Sequence, residues 1–268
     1  MKAQLSLTPA EAKRLIAKGV RQHPQVERAL QEGTIAVAMG ATNAYVLEEL
    51  LGKGIEKERY VAGFIDGEGA CVVPGEARLQ GNVLERGVER EAEMGEVVRR
   101  MGPNDVFIKG ANALDVQGVA GVMLASETGG TIGAVLGAIK ARGVRLIIPV
   151  GLEKLIPGSV GDASRLAGIY GMDYSAGVPV GLMPIHGEVV TEVEAFQILT
   201  GAKAVPIGSG GMGSGAGVKT FVVMGSEEAV KRAIALVEGI KGERELEPIS
   251  GDCGRCVYTN CPRSGRRR

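Results

Sequence analysis

The sequence predicts an α/β protein with a doubly wound, mostly parallel sheet, a second ferredoxin-like α+β domain and a Cys-rich C-terminal tail. Short, continuous apolar runs are typical of strands that are buried on both faces. These runs alternate with helical segments of about ten residues, which indicates a parallel sheet covered by helices. The chain of 268 residues is 45% hydrophobic and 23% charged, as in an ordinary globular protein. Its length suits one large or two modest domains.

The first half of the chain, residues 1–160, is predicted to form a Rossmann-like ligand-binding domain. Thr8-Pro9-Ala10-Glu11 combines an N-cap, a proline at the first helical position and a capping-box glutamate, so we expect two helices over 8–33. The apolar run Thr34–Met39 predicts a buried strand, and a helix follows over 44–51. The other predicted elements are strands at 60–65, 105–109 and 145–150, helices at 91–101 and 133–141, and a glycine-rich loop at 67–90 with room for a hairpin.

The second half differs, and residues 175–250 predict the β-α-β-β-α-β order of a ferredoxin-like domain. A second capping box, Thr191-x-x-Glu194, begins one helix, and a short strand around Leu246 would complete the order. The ten-residue loop at 208–217 is longer than a hairpin needs, so it either closes over a pocket, wraps a nucleotide or is disordered. The remaining elements are strands at 178–184, 204–207 and 218–224 and helices at 191–200 and 226–241.

Charge and composition exclude several classes of protein. The net charge is zero, but residues 251–268 carry five arginines against Asp252, which leaves the rest of the chain at −4. This negative charge disfavours a basic nucleic-acid-binding surface on residues 1–250. The tail either contacts an acidic partner or is a solvated terminus. Aromatic residues are only 3% and tryptophan is absent, which disfavours stacking of nucleic-acid bases. No apolar stretch reaches 18 residues and Met1–Leu7 is no signal peptide, so we expect a cytoplasmic protein without a membrane segment.

Three clusters of small and polar residues each follow a predicted strand or begin a helix. Small residues let a backbone approach a ligand closely, and free N–H groups in the first turn of a helix attract anions. The carboxyl ends of parallel strands open on one edge of the sheet, where ligands bind. The sequence therefore predicts a pocket for a phosphate or carboxylate group. Its candidate binding residues are Gly40, Thr42 and Asn43 in the first cluster, Lys109, Gly110 and Asn112 in the second, and Thr128, Gly129, Gly130 and Thr131 in the third.

These clusters, taken in order between residues 34 and 150, resemble the NagB/RpiA/CoA-transferase-like superfamily. The resemblance rests on Gly40-Ala-Thr-Asn43, on Asp105-Val-Phe-Ile-Lys-Gly-Ala-Asn-Ala-Leu114, and on Thr128-Gly-Gly-Thr131 leading to the segment 140–149. Members include sugar-phosphate isomerases and CoA transferases. The resemblance implies a doubly wound sheet with an anionic ligand above these loops.

The catalytic residues implied by the resemblance are only partly present. Isomerases of this type carry an aspartate where this chain has Asn112, and an amide orients a substrate but does not accept its proton. Asp115 is then either a substitute acid or a turn residue. Glu127 stands in a Ser-Glu-Thr-Gly segment similar to that of CoA transferases, in which the glutamate is a nucleophile; its alternative role is to stabilise the start of a helix. Lys109 is either a phosphate partner or a surface lysine.

Three of the four cysteines lie close together near the C-terminus, as Cys253-x2-Cys256-x4-Cys261 followed by a proline. Two thiolates in one turn suit Zn²⁺ or an iron–sulfur cluster, and a final Cys-Pro is similar to the last ligand of ferredoxin motifs. A fourth ligand would be Cys71, a partner or a substrate; reversible disulfide formation is the alternative to metal binding. The isolated His23 and His186 are expected to be structural.

From these observations we expect a protein that binds a small anionic metabolite, namely a sugar phosphate, a nucleotide or an acyl-CoA. If it is an enzyme, it is a transferase or an isomerase. The alternative is a non-catalytic sensor whose tail reports metal or redox state. The sequence leaves open whether the chain forms a homo-oligomer.

Overall fold

A computed structural model describes residues 1–258 and 260–265, and it has an α/β architecture. Its largest sheet has six strands in the order β12 (Glu188–Val190), β10 (Arg145–Pro149), β7 (Val106–Ile108), β2 (Thr34–Val37), β5 (Asn82–Glu85) and β6 (Val88–Arg90). The first four run parallel to one another, whereas β5 and β6 are antiparallel additions at one edge. In the described residues the strands are β1 (Lys2–Leu7), β2 (Thr34–Val37), β3 (Gly63–Asp66), β4 (Gly69–Val72), β5 (Asn82–Glu85), β6 (Val88–Arg90), β7 (Val106–Ile108), β8 (Ala113–Leu114), β9 (Ala120–Leu124), β10 (Arg145–Pro149), β11 (Gly181–Ile185), β12 (Glu188–Val190), β13 (Lys203–Ser209) and β14 (Lys219–Met224).

Helices cover both faces of the six-stranded sheet. Because side chains alternate along a strand, Phe107 joins the core beneath α5 (Gly130–Arg142), while its neighbours Val106 and Ile108 join the core beneath the first three helices. This two-sided burial explains why β2, β7 and β10 appear in the sequence as unbroken apolar runs. The helices are α1 (Pro9–Arg21), α2 (Pro24–Glu32), α3 (Ala41–Leu51), α4 (Met94–Val98), α5 (Gly130–Arg142), α6 (Val160–Leu166), α7 (Glu192–Thr200) and α8 (Glu227–Gly239).

A third core lies between α1, α7, α8 and the antiparallel sheet β1-β14-β13. Helix α1 contributes Leu15 to this core and Ile16 to the core of the large sheet, so it joins the two. Its contact with α7 is close: a Cβ atom added at Gly19 would lie 2.8 Å from the Cβ of Ala195. Arg14 on the same helix bonds three carboxylates, those of Glu48 and Glu49 on α3 and that of Glu243 after α8.

Most predicted elements of the first half are present, with shifts at their ends. Both capping boxes are formed, at Thr8 and at Thr191. The strand predicted at 60–65 is wrong in its first part, because Lys57–Tyr60 forms a 3-10 helix whose Tyr60 hydroxyl donates to the carbonyl of Val37 at 2.6 Å. The predicted loop at 67–90 contains β4, β5 and β6, and the helix expected at 91–101 is limited to α4.

The second half differs more from the expected ferredoxin-like order. The strand predicted around Leu246 is wrong: in the described residues this part of the chain belongs to no sheet, and residues just before Leu246 bond helices instead. Tyr45 donates to the carbonyl of Arg244, and Glu245 accepts from the N–H of Ala10. The place beside β14 is taken by β1, while β11 pairs with β9. The first two residues of the loop expected at 208–217 belong to β13, which ends at Ser209. The rest of the loop contains a 3-10 turn at Gly213–Gly215.

None of the helices in the described ranges combines the length and the apolar character that a bilayer crossing would require. Of the arginines that give the tail its positive charge, Arg266, Arg267 and Arg268 lie outside the described residues.

Candidate functional site

A cleft of about 650 Å³ lies at the carboxyl ends of β2 and β7. One wall is the β3–β4 hairpin, and the opposite wall is the end of β9 with the turn that begins α5. This is the edge at which ligands bind in open α/β sheets. All three clusters singled out in the sequence contribute to its lining, with Gly40–Thr42, Lys109–Asn112, Ser126 and Gly129–Ile132.

The first cluster forms the turn from β2 into α3. Gly40 is the N-cap of α3, and no side-chain cap satisfies the first turn in the part of the chain that the structure describes. Thr42 lines the cleft, is 2% exposed, and its Oγ1 has no hydrogen-bond partner among the described residues. Asn43 is fully buried beneath this turn, where its Nδ2 donates to the carbonyl of Ala38 at 2.6 Å. Both residues therefore keep one buried oxygen without a partner in the described residues, the Oγ1 of Thr42 and the Oδ1 of Asn43, while the Nδ2 of Asn43 holds the turn in place.

The second cluster follows β7 directly. Gly110 packs closely on the first cluster: a Cβ atom there would lie 3.3 Å from the Oδ1 of Asn43, so the amide would have to shift slightly to admit a side chain. The Oδ1 of Asn112 accepts from the N–H of Met123 at 3.0 Å, which ties this loop to β9 and leaves the other end of the amide for the cleft. The Nζ of Lys109 donates to the carbonyl of Gly110 at 3.0 Å. The cluster thus brings one ammonium group and one amide to the cleft.

The third cluster begins α5 through two consecutive glycines with positive φ, Gly129 at 76° and Gly130 at 55°. This conformation disfavours residues with a side chain. Gly129 is the N-cap, and within the described ranges no side chain caps this first turn either. The N-terminal ends of α3 and α5 therefore both border the cleft with N–H groups that attract negative charge.

Sequence reasoning missed three basic residues of the cleft, Lys13, Arg78 and Lys154. Lys13 comes from α1, and Lys154 belongs to the 3-10 helix Leu152–Lys154 that follows β10. No local motif distinguishes these side chains, because only the packing of distant segments brings them to Lys109. Together with Lys109 they make the lining strongly basic.

Two carboxylates lie beside the lysines and were also missed. Both carboxylate oxygens of Glu153, which lines the cleft, are buried without a hydrogen-bond partner in the described residues. Glu192 is fully buried and accepts from the N–H of Leu152 at 3.0 Å. Burial and the charge of Glu153 raise the pKa of Glu192 to about 7. Glu192 is therefore partly protonated at neutral pH.

The lysines of the cleft repel one another. Burial, assisted by the charge of Lys154, lowers the pKa of Lys109 to about 8. Burial also lowers the pKa of Lys154, although the nearby Glu153 acts in the opposite direction. A bound anion would offset this repulsion. Lys109 thus has a charged form that attracts anions and a neutral form that accepts a proton, both accessible near neutral pH.

Several predicted residues lie outside this lining. Glu127 is exposed and bonds the hydroxyl of Tyr170. Thr128 is exposed too, with its Oγ1 at 3.0 Å from the Oγ of Ser126. Asp115 is buried in a turn and accepts from three backbone N–H groups, including that of Val160 at 3.0 Å. Burial raises the pKa of Asp115, but these hydrogen bonds outweigh it and lower the pKa, as suits a structural carboxylate.

The two histidines have different surroundings. His23 is the N-cap of α2, where its Nδ1 accepts from the N–H of Gln25, and its Nε2 lies 2.9 Å from a carboxylate oxygen of Glu188. His186 is exposed, and its carbonyl accepts from Lys140.

All four cysteines are free thiols, and one of them lines the cleft together with one residue of the Cys-rich segment. Cys71 on β4 and Tyr258 from the segment both line the cleft. In the part of the chain that the structure describes, no three His, Cys, Asp or Glu side chains converge closely enough to hold a metal ion.

Comparison of the chain with protein-family models, with curated proteins and with solved structures finds no match.

Proposed function

We propose that the cleft binds a small metabolite through a phosphate or carboxylate group, as in a sugar phosphate, a nucleotide or an acyl-CoA. The observation that carries this proposal is the joint lining of one cleft by the first turns of α3 and α5 and by Lys109 and Lys154. Each helix end attracts anions only weakly, but here two ends and two ammonium groups border the same space. The buried and unpartnered Oγ1 of Thr42 supplies a donor in the same wall.

The reaction that the residues support best is proton transfer, as in an isomerase. Neutral Lys109 is a base next to the anion-binding groups, and Asn112 is placed to orient a substrate oxygen. This arrangement differs from the carboxylate chemistry of the NagB/RpiA/CoA-transferase-like superfamily. We propose the relationship to that superfamily, with its doubly wound fold, on the strength of the strand–turn–helix clusters at the sheet edge. Because Glu127 lies outside the cleft lining, this proposal gives it no role as a nucleophile.

The binding proposal is tested by calorimetric titration with matched pairs of compounds, each phosphorylated sugar or nucleotide beside its dephosphorylated form, and with CoA esters. We expect binding of at least one phosphorylated member and none of its partner. Lys109→Met should weaken that binding about 10- to 100-fold, since a hydrogen bond to a charged group contributes about 1.5–3 kcal/mol. Lys203→Met is the matched control, because Lys203 is exposed on β13 and lies outside the cleft lining. Equal losses in both variants would contradict the proposal.

A second candidate is a sensor without catalysis, and one observation favours it. The thiol of Cys71 and Tyr258 of the Cys-rich segment line the same cleft, so a ligand in the cleft lies next to groups that could respond to redox state. The two candidates are separated by incubating the bound ligand with the protein in D₂O. An isomerase that moves a proton on carbon incorporates deuterium into the ligand, whereas a sensor leaves the ligand unlabelled.

A further inference from the structure

The guanidinium of Arg78 lies in the wall of the cleft and has no partner in the described part of the chain. Arg78 is half-buried, and no hydrogen bond or ion pair involves its side chain there. Its Nη2 lies near Gly75, where an added Cβ atom would be 3.6 Å away. The neighbouring Arg59, in contrast, donates to the carbonyl of Ala77 at 3.1 Å and to the carboxylate of Glu56 at 2.8 Å. Within the described residues, Arg78 is therefore a cation that the protein leaves without a counter-charge.

The backbone that carries Arg78 is held on both sides of this residue. The N–H of Arg78 donates to the carbonyl of Gly75 at 3.3 Å, and the N–H of Leu79 donates to the carbonyl of Arg59 at 2.8 Å. A group on a backbone that is already fixed loses less conformational freedom when it binds a ligand. Arg78 is therefore well placed to bind a ligand of the cleft.

The strand order of the large sheet separates Arg78 from the lysines of the cleft. Lys109 directly follows β7 and Lys154 follows β10, whereas Arg78 lies just before β5. Because β5 is antiparallel to β2, it begins at the edge where the parallel strands end, and Asn82 pairs there with Val37. Strand β2 separates β5 from β7, and β10 lies beyond β7. Neighbouring strands are about 4.8 Å apart, so β5 lies about 10 Å from β7 and about 14 Å from β10.

The first turn of α3 lies between these two cationic ends of the cleft, because α3 follows β2. The N–H of Gly40 donates to the carbonyl of Tyr60 at 2.9 Å, which joins this turn to the chain that holds Arg78. The turn has no side-chain cap in the described residues, and the buried Oγ1 of Thr42 has no partner among them. Groups that attract negative charge therefore extend along the sheet edge from the lysines to Arg78.

We propose that Arg78 binds a second anionic group of the ligand, so that the cleft takes a metabolite with two separate anionic groups, as in a bisphosphate or a phosphorylated carboxylic acid. This inference rests on the proposed function, in which Lys109 and Lys154 bind the first group. A planar guanidinium donates two parallel hydrogen bonds to one phosphate or carboxylate group. The distance between the strands favours a ligand whose two anionic groups are held apart by a chain of atoms.

The test compares three probes that share one carbon chain and differ in their ends. Pentyl phosphate has one anionic group, 5-phosphonooxypentanoic acid has a phosphate and a carboxylate, and pentane-1,5-diyl bisphosphate has two phosphates. Calorimetric titration of the full-length protein should show that one of the doubly anionic probes binds about 10- to 100-fold more tightly than pentyl phosphate. The tighter of the two identifies the second group. Equal affinity for all three probes would overturn this inference alone, whereas a lack of binding by all three would also contradict the proposed function.

Substitution of Arg78 determines whether this residue provides the added affinity. In Arg78→Met, the doubly anionic probe should bind no more tightly than pentyl phosphate. Arg78→Lys keeps the charge without the paired hydrogen bonds, so it should keep only part of the added affinity. Arg100→Met is the matched control, because Arg100 is exposed and lies outside the cleft lining.

A measurement on the wild-type protein gives the same answer without a variant. The doubly anionic probe should protect Arg78 from modification by phenylglyoxal, as mapped by mass spectrometry, and pentyl phosphate should not. Added affinity that survives in Arg78→Met, or equal modification of Arg78 with either probe, would contradict the inference.

Discussion

Replacing Lys109 by methionine should weaken anion binding and yet stabilise the protein. The pKa of this lysine falls from its ordinary 10.5 to about 8, chiefly by burial and then by the charge of Lys154. A change of that size corresponds to a cost of roughly 3 kcal/mol for keeping the ammonium charged in the folded protein at neutral pH. Methionine has a similar volume without the charge, although it loses the hydrogen bond to Gly110. We therefore expect the free energy of unfolding to rise by about 1–3 kcal/mol at pH 7.

The pH dependence gives an independent check of the same variant. Below pH 8 Lys109 is protonated in the folded and in the unfolded chain, so its cost is constant. Between about 8 and 10.5 the folded chain loses this proton while the unfolded chain keeps it, and rising pH then removes the cost. Urea unfolding of the wild type should show this gain in stability, and Lys109→Met should show a smaller gain, because Lys154, whose pKa is also lowered, still contributes. A variant that is less stable than the wild type at pH 7, or whose gain is as large as that of the wild type, would refute the reasoning.

Three further predictions concern the packing and the buried charges. Gly19→Ala should lower the free energy of unfolding by about 1–3 kcal/mol, because the added methyl group overpacks against α7. Gly137→Ala is the control: a Cβ atom there meets open space among the described residues, so the free energy of unfolding should rise by up to about 1 kcal/mol. Thermal unfolding measures both variants. Because the pKa of Glu192 is about 7 instead of 4.5, wild-type stability should fall by roughly 3 kcal/mol between these pH values, and Glu192→Gln should remove the fall in urea titrations at each pH. Arg14→Met leaves three carboxylates without their shared cation and should cost about 3 kcal/mol in chemical denaturation, against less than about 1 kcal/mol for the exposed Arg165→Met. Equal effects of the two arginine substitutions would contradict the role of burial.

Those elements of the cleft that depend on local sequence patterns can be predicted from the sequence. The apolar runs of β2 and β7 and the small residues that follow each of them lie next to one another along the chain, so periodicity and turn chemistry predict them. The same reasoning could not assign β1, because its six residues become a strand only by pairing with β14, more than two hundred positions away. It placed a strand near Leu246, where bonds to α1 and to Tyr45 hold the chain outside a sheet.

Most charged residues of the cleft could not be predicted either, because they come together only through contacts between distant segments. Lys109 ends a predicted strand and is therefore a candidate from the sequence, but Lys13, Lys154 and Glu153 reach the cleft from α1 and from the turn after β10. Nothing in the residues around them distinguishes them from surface charges. The pKa shifts that make Lys109 chemically useful arise from this long-range convergence, so they could not be derived from its own sequence context.

The claim that an anion binds between the two helix ends is tested most directly by locating that anion. Titration of ¹⁵N-labelled protein with pyrophosphate, followed through the backbone amide resonances, should shift the signals of Ala41 and Thr42 in α3 and of Gly130 and Thr131 in α5 together, with one common affinity that is lost in Lys109→Met. Shifts confined to other surfaces, or an unchanged response in that variant, would contradict the account.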